Sequence, residues 1–167
     1  MAWIDFLSPK TVIKMLNFWP PFLFSGIRII EVSEDLSKVR VRLKRFFWNQ
    51  NYFGTHFGGS LYSMTDPFFP FMLLEQIKKE HIVWDKKGDI EYIKAVQEDV
   101  FADFQIFPTD VEEIKHACLN SFSIEKSFEV IVKTKNGDEV ARVNKTLYIR
   151  RKDAKKRFEK TNTDLLI

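Results

Sequence analysis

The sequence predicts an α+β protein in which an antiparallel sheet of about five to six strands wraps around one long central helix. Residues 39–43 alternate strictly between apolar and basic side chains, as in a strand with one buried face. Residues 58–79 carry apolar side chains on all sides, as in a helix that has little contact with water. Strand-like segments lie before and after that helix, so the helix and the sheet can bury each other's apolar surfaces.

The chain has an ordinary length for one domain, so residues 1–167 are expected to fold as a single unit. Within it, we expect an N-terminal amphipathic helix and lead-in over residues 1–23, a core over residues 24–152 and a charged C-terminal tail over residues 153–167.

The short N-terminal helix is predicted from its two ends. Ser8 can cap free backbone amides and Pro9 tolerates the first helical position, so a helix is expected to begin there. Apolar residues then recur at helical spacing until Pro20 and Pro21, which are expected to end the helix.

The remaining elements are predicted to be mostly strands. A first hairpin is expected over residues 26–46. Three strand-like segments follow the central helix, at residues 81–85, 88–96 and 100–107. Residues 108–120 are expected to form a short helix or an irregular connection. The dipeptide Asn136-Gly137 predicts a final hairpin, because both residues accept positive φ.

Composition excludes several classes of function. The net charge of +3 comes from 26 basic and 23 acidic residues that are interspersed, which is not the footprint of a nucleic-acid-binding protein. Cys118 is the single cysteine, and His81 and His116 lack a partner at ligand spacing, so no metal is expected. No glycine-rich nucleotide loop indicates a cofactor. Apolar runs are shorter than roughly 18 residues and no leader is recognisable, so we expect a cytoplasmic protein without a membrane span.

Two glycines and an aspartate at the central helix suggest chemistry. Gly58 and Gly59 fall at the predicted helix start, where free amides could hold a developing oxyanion. Asp66 lies about two helical turns further along and could act as a general base or a nucleophile. The alternative is structural: the glycines permit close packing, and Asp66 satisfies backbone groups where Pro67 breaks the helix.

A family resemblance favours the catalytic interpretation. The pattern in residues 54–66 resembles the signature of hotdog-fold acyl-CoA thioesterases of the phenylacetate-pathway type; the matching residues are Gly54, Thr55, Gly58, Gly59, Leu61 and Asp66. The longer stretches FWPPF, NYFGTHFGGSLYSMTDPFF, IVWDK and VARVNKTLYIRRK are similar to a hotdog group known as a domain of unknown function and often labelled thioesterase-like. The resemblance covers about residues 16–152.

The resemblance implies hydrolysis of an acyl-CoA or related acyl thioester, without cofactor or metal, in a site between two subunits. A homodimer is therefore expected, which can pair further into a homotetramer. The residues expected to be catalytic are Asp66, Gly58, Gly59, His56 and Asn51. The residues expected to bind substrate are Gly54, Thr55, Phe57, Ser63 and Phe69. The family's histidine directly precedes the glycine pair, whereas here Phe57 does and His56 lies one place earlier.

Two other functions remain open from the sequence. The first is a non-catalytic hotdog protein that binds a fatty-acyl or other apolar ligand, in keeping with the 17 phenylalanines. The second is an enoyl-thioester hydratase or dehydratase, for which His56 and Asp66 would have to converge on the substrate.

Overall fold

The computed structural model describes residues 7–77 and 80–155. The helices are α1 (Pro9–Met15), α2 (Pro20–Ser25), α3 (Gly58–Ser63), α4 (Phe68–Ile77) and α5 (Pro108–Asn120), and a 3₁₀ turn over Leu16–Phe18 joins α1 to α2. The strands are β1 (Ile27–Val32), β2 (Lys38–Leu43), β3 (His81–Tyr92), β4 (Val100–Gln105), β5 (Ile124–Thr134) and β6 (Glu139–Arg151).

The strands form one antiparallel sheet of six strands in the order β1-β2-β4-β5-β6-β3. Both predicted hairpins are present, β1 with β2 and β5 with β6, and Gly137 in the second turn has the positive φ that the turn requires. The order places β3 at an edge, paired on one side with β6.

The central helix, which we define as α3 and α4 together, is interrupted. The predicted continuous helix breaks at residues 64–67, between the end of α3 and the start of α4, while residues 78–79 lie outside the described residues. The physical reason is Pro67, which has no amide hydrogen for the helical ladder and disfavours helical geometry at Asp66 before it. The peptide bond between Asp66 and Pro67 is cis.

The apolar core lies between the central helix and the sheet. Phe68 and Phe69 of α4 are fully buried, and the ring of Phe69 contacts the rings of Phe104 on β4 and Phe128 on β5 at centroid distances of 5.1 and 5.0 Å. Since these aromatic contacts come from two adjacent strands, they fix α4 across the middle of the sheet.

Two expectations need correction. Pro20 and Pro21 do not end the helical region but begin α2, because extended geometry at Trp19 allows prolines at the first helical positions. The two segments predicted at residues 81–85 and 88–96 are one strand, β3, which continues through a bulge. Ala154, in the segment predicted to be a charged tail, is buried, and residues 156–167 lie outside the described residues.

Substitution of Gly26, which follows α2, tests how closely the chain packs there, and Gly137 in the last hairpin is the matched control. Both have positive φ, but a Cβ at Gly26 would lie 2.7 Å from the Lys44 carbonyl oxygen, whereas a Cβ at Gly137 would meet no atom within 4 Å. We expect Gly137→Ala to lower the free energy of unfolding by about 1 kcal/mol. We expect Gly26→Ala to lower it by about 2–4 kcal/mol, because backbone atoms must also shift. Urea denaturation measures both, and equal losses would contradict the packing argument.

Candidate functional site

The loop before α3 is organised by the side chain of Asn51. Its amide nitrogen donates to Thr55 Oγ1 at 2.8 Å and to the His56 carbonyl at 3.1 Å, while its Oδ1 accepts from the Phe53 and Thr55 amides. The Gly54 amide donates to the Asn51 carbonyl. Asn51 is thus fully engaged in holding the loop that leads into the helix.

His56 is turned inward and buried. Its Nε2 lies 2.7 Å from the Glu98 carbonyl oxygen, so Nε2 carries the hydrogen and donates, while the buried Nδ1 has no hydrogen-bond partner among the described residues. Burial lowers the pKa of His56 below its ordinary 6.5, although the Glu98 carbonyl and Asp99 act in the opposite direction. The ring is therefore neutral near pH 7.

Gly58 and Gly59 are the first two residues of α3, where backbone amides have no acceptor within the helix. A Cβ at Gly58 would lie 3.0 Å from the Tyr92 hydroxyl, and the Phe57 ring occupies the space in which a Cβ at Gly59 would lie. Phe57 therefore lies directly before the glycine pair, where the thioesterase signature that the sequence resembles has histidine, and its ring packs against Gly59.

A cavity of about 570 Å³ opens beside this helix start. Its wall includes Asn51, Thr55, His56, Phe57 and both glycines on one side, and residues 92–96 on the other. The structure thus brings together most of the residues predicted around the helix start.

Asp66 lies apart from them, in the break between α3 and α4. Its Oδ1 is 2.7 Å from Nζ of Lys145 on β6, and the same Nζ is 3.2 Å from Oδ1 of Asp85 on β3. The Lys145 side chain is only 2% exposed, whereas the side chains of Asp66 and Asp85 are 45% and 30% exposed. A buried ammonium is therefore held by two carboxylates that reach towards solvent.

The register of β6 explains why Lys145 points inward. Val143 and Leu147, two places away on either side, are fully buried on the core face of the sheet, and Lys145 shares that face. Gly88 is opposite it on β3, and the Tyr62 ring centroid lies 5.3 Å from Nζ. Sequence reasoning missed Lys145, yet a lysine in the apolar register of an alternating strand was a signal that could have identified it.

The charges of this cluster influence one another. Burial alone would lower the pKa of Lys145, but hydrogen bonding to Asp66 and the charges of Asp66 and Asp85 outweigh it and raise the pKa above 10.5, so the lysine stays protonated. Burial raises the pKa of Asp85 above 3.8, against the opposing effect of Lys145, and the neighbouring Asp66 adds to the rise. Asp85 therefore takes up a proton more readily than an exposed aspartate.

The other predicted residues lie elsewhere. Phe69 belongs to the core described above, where it is 1% exposed. Ser63 ends α3, and its carbonyl accepts from the Asp66 amide. Gly58 begins α3, whereas Asp66 follows its end, in the break before α4. The glycine pair and Asp66 of one chain therefore lie at opposite ends of α3.

Among the helices of the described residues, none is long and apolar enough to cross a membrane.

Comparison with known proteins places this geometry in a structural context. Pseudomonas aeruginosa PA5026, described as a protein of unknown function and probable thioesterase, superposes with a TM-score of 0.76 at 16% identity, over 86% of this chain and 96% of that chain. Thioesterase HI1161 from Haemophilus influenzae gives 0.63 at 12% identity, over 90% and 96% of the two chains. A hypothetical thioesterase from Streptococcus pneumoniae TIGR4, solved with coenzyme A, gives 0.56 at 16% identity, over 82% and 97%.

Identities this low show a shared fold, and the predicted hotdog fold is confirmed. No curated protein matches the chain. A family profile described as "Domain of unknown function (DUF4442)" matches residues 10–149, which is most of the chain. The chain therefore belongs to the DUF4442 family, and its fold is similar to that of hotdog proteins described as thioesterases.

Proposed function

We propose that the protein hydrolyses an acyl thioester, such as an acyl-CoA, in a site formed by two copies of the chain. The observation that carries the proposal is the half-exposed Asp66 carboxylate, anchored in the break of the central helix by Lys145 at 2.7 Å. A fixed carboxylate that reaches solvent is suited to act as a base on water or as a nucleophile. The similar folds described as thioesterases, one of them solved with coenzyme A, support this choice of reaction.

In the proposed reaction, Asp66 transfers the proton and the glycine amides stabilise the oxyanion. Water adds to the thioester carbonyl carbon while Asp66 accepts one of its protons. The Gly58 and Gly59 amides donate hydrogen bonds to the oxyanion that forms on the carbonyl oxygen. The carbon–sulfur bond then breaks, and the thiolate takes the proton from Asp66. The products are a carboxylic acid and a thiol. If Asp66 attacks directly, water instead hydrolyses the anhydride that results.

The cavity of about 570 Å³ beside the helix start is the proposed place for the thioester group. Thr55 and Phe57 line it, and the Gly54 turn holds the loop that carries them. The missing side chains at Gly58 and Gly59 let a carbonyl group approach the amides closely. Neither Ser63 nor Phe69 is among the residues that line this cavity.

The separation of Gly58 and Asp66 along the chain supports a site formed by two copies. Reacting groups must come within about 3–3.5 Å of each other, whereas Gly58 and Asp66 of one chain are separated by the length of α3. Strand β3 lies at the sheet edge, with one side unpaired among the described residues, so a second copy could pair there in a two-fold dimer. The helix starts and the carboxylates of two copies would then face each other.

The hydratase alternative has less support, because it needs His56 and Asp66 to converge on one substrate. His56 precedes α3 and Asp66 follows it, and the His56 ring is engaged with the Glu98 carbonyl.

Asp66 is tested with a panel of acyl-CoAs of different chain length. We expect hydrolysis by the wild type, and Asp66→Asn should lower kcat by about 10²–10⁴-fold, because the base or nucleophile is lost. Thiol release is measured with a chromogenic reagent. Asp103→Asn is the control. Asp103 on β4 forms an exposed ion pair with Arg40 on β2 and has no part in the proposed site. No turnover with any thioester, together with an acyl ligand retained in native mass spectrometry, would instead identify a non-catalytic binding protein.

The two-copy site is tested by mixing two inactive variants. Gly58→Pro removes the amide donor at the first helical position, where proline is tolerated, and Phe57 already has the extended geometry that must precede a proline. Mixed dimers of Gly58→Pro and Asp66→Asn contain one intact site, so subunit exchange should restore about 25% of wild-type activity, as random pairing in a two-fold dimer gives half mixed dimers.

The matched control for the mixing experiment is Gly58→Ala, which adds a Cβ near the Tyr92 hydroxyl but keeps the amide. It should retain more activity than Gly58→Pro. No recovery of activity after verified subunit exchange would show that both groups act within one chain.

The His56 ring is expected to stay neutral, with the hydrogen on Nε2, at pH 7. Its pKa in the folded chain lies below 6.5, so as the pH falls below 6.5 the unfolded chain binds a proton first and the folded state loses stability. Nitrogen-detected NMR of the imidazole measures both the tautomer and the titration, with the exposed His116 as internal control. A His56 ring that is protonated at pH 7 would contradict the buried geometry.

A further inference from the structure

We propose that Lys145 is a positioning residue that holds the Asp66 carboxylate in its reactive place, and that Asp85 in turn holds Lys145. This inference rests on the proposed thioester hydrolysis and deepens it, because it adds two residues on the sheet to a site otherwise built on the central helix.

The first argument is the place of the ammonium group. Lys145 is 2% exposed and shares its face of β6 with buried Val143 and Leu147. Its ammonium group is therefore shielded from solvent. A buried ion pair stabilises a fold no better than apolar side chains that fill the same space. Stability therefore gives little reason for a lysine at this position, whereas the need to hold a carboxylate does.

The second argument is the position of Asp66. It lies in a non-helical break, where its backbone is not held by a regular hydrogen-bond ladder, and its side chain is 45% exposed. The charge-assisted contact of 2.7 Å with Lys145 ties this exposed carboxylate to the centre of the sheet. Because misplacement of a reacting group by about 1 Å can cost 10²-fold in rate, such an anchor matters for catalysis.

The third argument is that the sheet is shaped around the lysine. A bulge in β3 puts Asp85 opposite Leu147 and Gly88 opposite Lys145, so both residues of β3 face the core side. Asp85 can therefore reach Nζ at 3.2 Å. The Tyr62 hydroxyl fills the space in which a Cβ at Gly88 would lie, and the Tyr62 ring packs over the ammonium. The lysine is thus confined between the two carboxylates.

Among the described residues, three segments contribute charged or titratable groups around Nζ. They are Asp66 from the break, Asp85 from β3 and Tyr62 from α3, while β5 contributes the apolar Phe128 opposite Lys145. Protonated Lys145 is a donor to both carboxylates, so it does not itself serve as the base.

The inference is tested by kinetics on an acyl-CoA that the wild type hydrolyses. Lys145→Met keeps most of the length of the unbranched side chain and removes the ammonium group with its charge. We expect kcat to fall about 10–100-fold while KM changes less than about threefold, because the substrate still binds but Asp66 is misplaced. Lys145→Arg should recover part of the loss. Lys115→Met, which removes the lysine of a surface pair with Glu112, is the matched control and should leave kcat unchanged.

A double-substitution cycle separates positioning from a general structural effect. In an Asp66→Asn background, Lys145→Met should lower kcat by less than about twofold, because a residue that acts only through Asp66 has nothing left to position. Equal losses in both backgrounds would overturn the inference. Should Lys145→Met fail to fold, Asp85→Asn gives the second readout. This variant keeps Lys145 but weakens the contact that holds its ammonium group, so kcat should fall about 2–10-fold at unchanged KM.

The outcomes distinguish this inference from the proposed function. No thioester hydrolysis by the wild type overturns both. Hydrolysis that depends on Asp66 but is unaffected by Lys145→Met and Asp85→Asn overturns the inference alone.

Discussion

The ion pair between Asp66 and Lys145 is the interaction on which the arrangement of the site depends. It joins the single interruption of the central helix to the middle of β6, a strand with neighbours on both sides. α3 and α4 meet at this interruption, so the contact sets where the carboxylate emerges between them. Aromatic packing of Phe69 fixes α4 independently. The helix is therefore held to the sheet by apolar contacts along its second half and by charge at its break.

The edge strand β3 packs against α3, the first half of the central helix. α3 runs along β3, with Gly58 against Tyr92 at one end and Tyr62 against Gly88 further along. Larger side chains at either glycine would push the helix away from the strand. Because the helix start and Asp66 both lie along this strand, both halves of the proposed site follow the edge at which a second copy could pair.

The sequence predicted the parts of the fold that depend on local patterns. Strict alternation identified β2, Asn136-Gly137 identified the last hairpin, and the apolar segment identified the central helix. That β3 is one continuous strand could not be predicted, because its bulge arises from pairing with residues of β6 about 60 positions later along the chain. The partners of Lys145 could not be predicted either. The alternation of β6 shows that Lys145 points inward, but its contacts with Asp66 and Asp85 depend on strand register and on the break in the helix, which are tertiary properties.

The place of histidine changes the chemistry that the site can perform. The thioesterase signature that the sequence resembles has a histidine directly before the glycine pair, whereas Phe57 has that place here and its ring lies against Gly59. His56 is turned towards the Glu98 carbonyl, where burial keeps it neutral and it supports the loop. Proton transfer in the proposed reaction must then rest on Asp66. A site with one such carboxylate depends strongly on its exact placement, which is why a buried lysine and a second carboxylate behind it have a functional rather than a stabilising rationale.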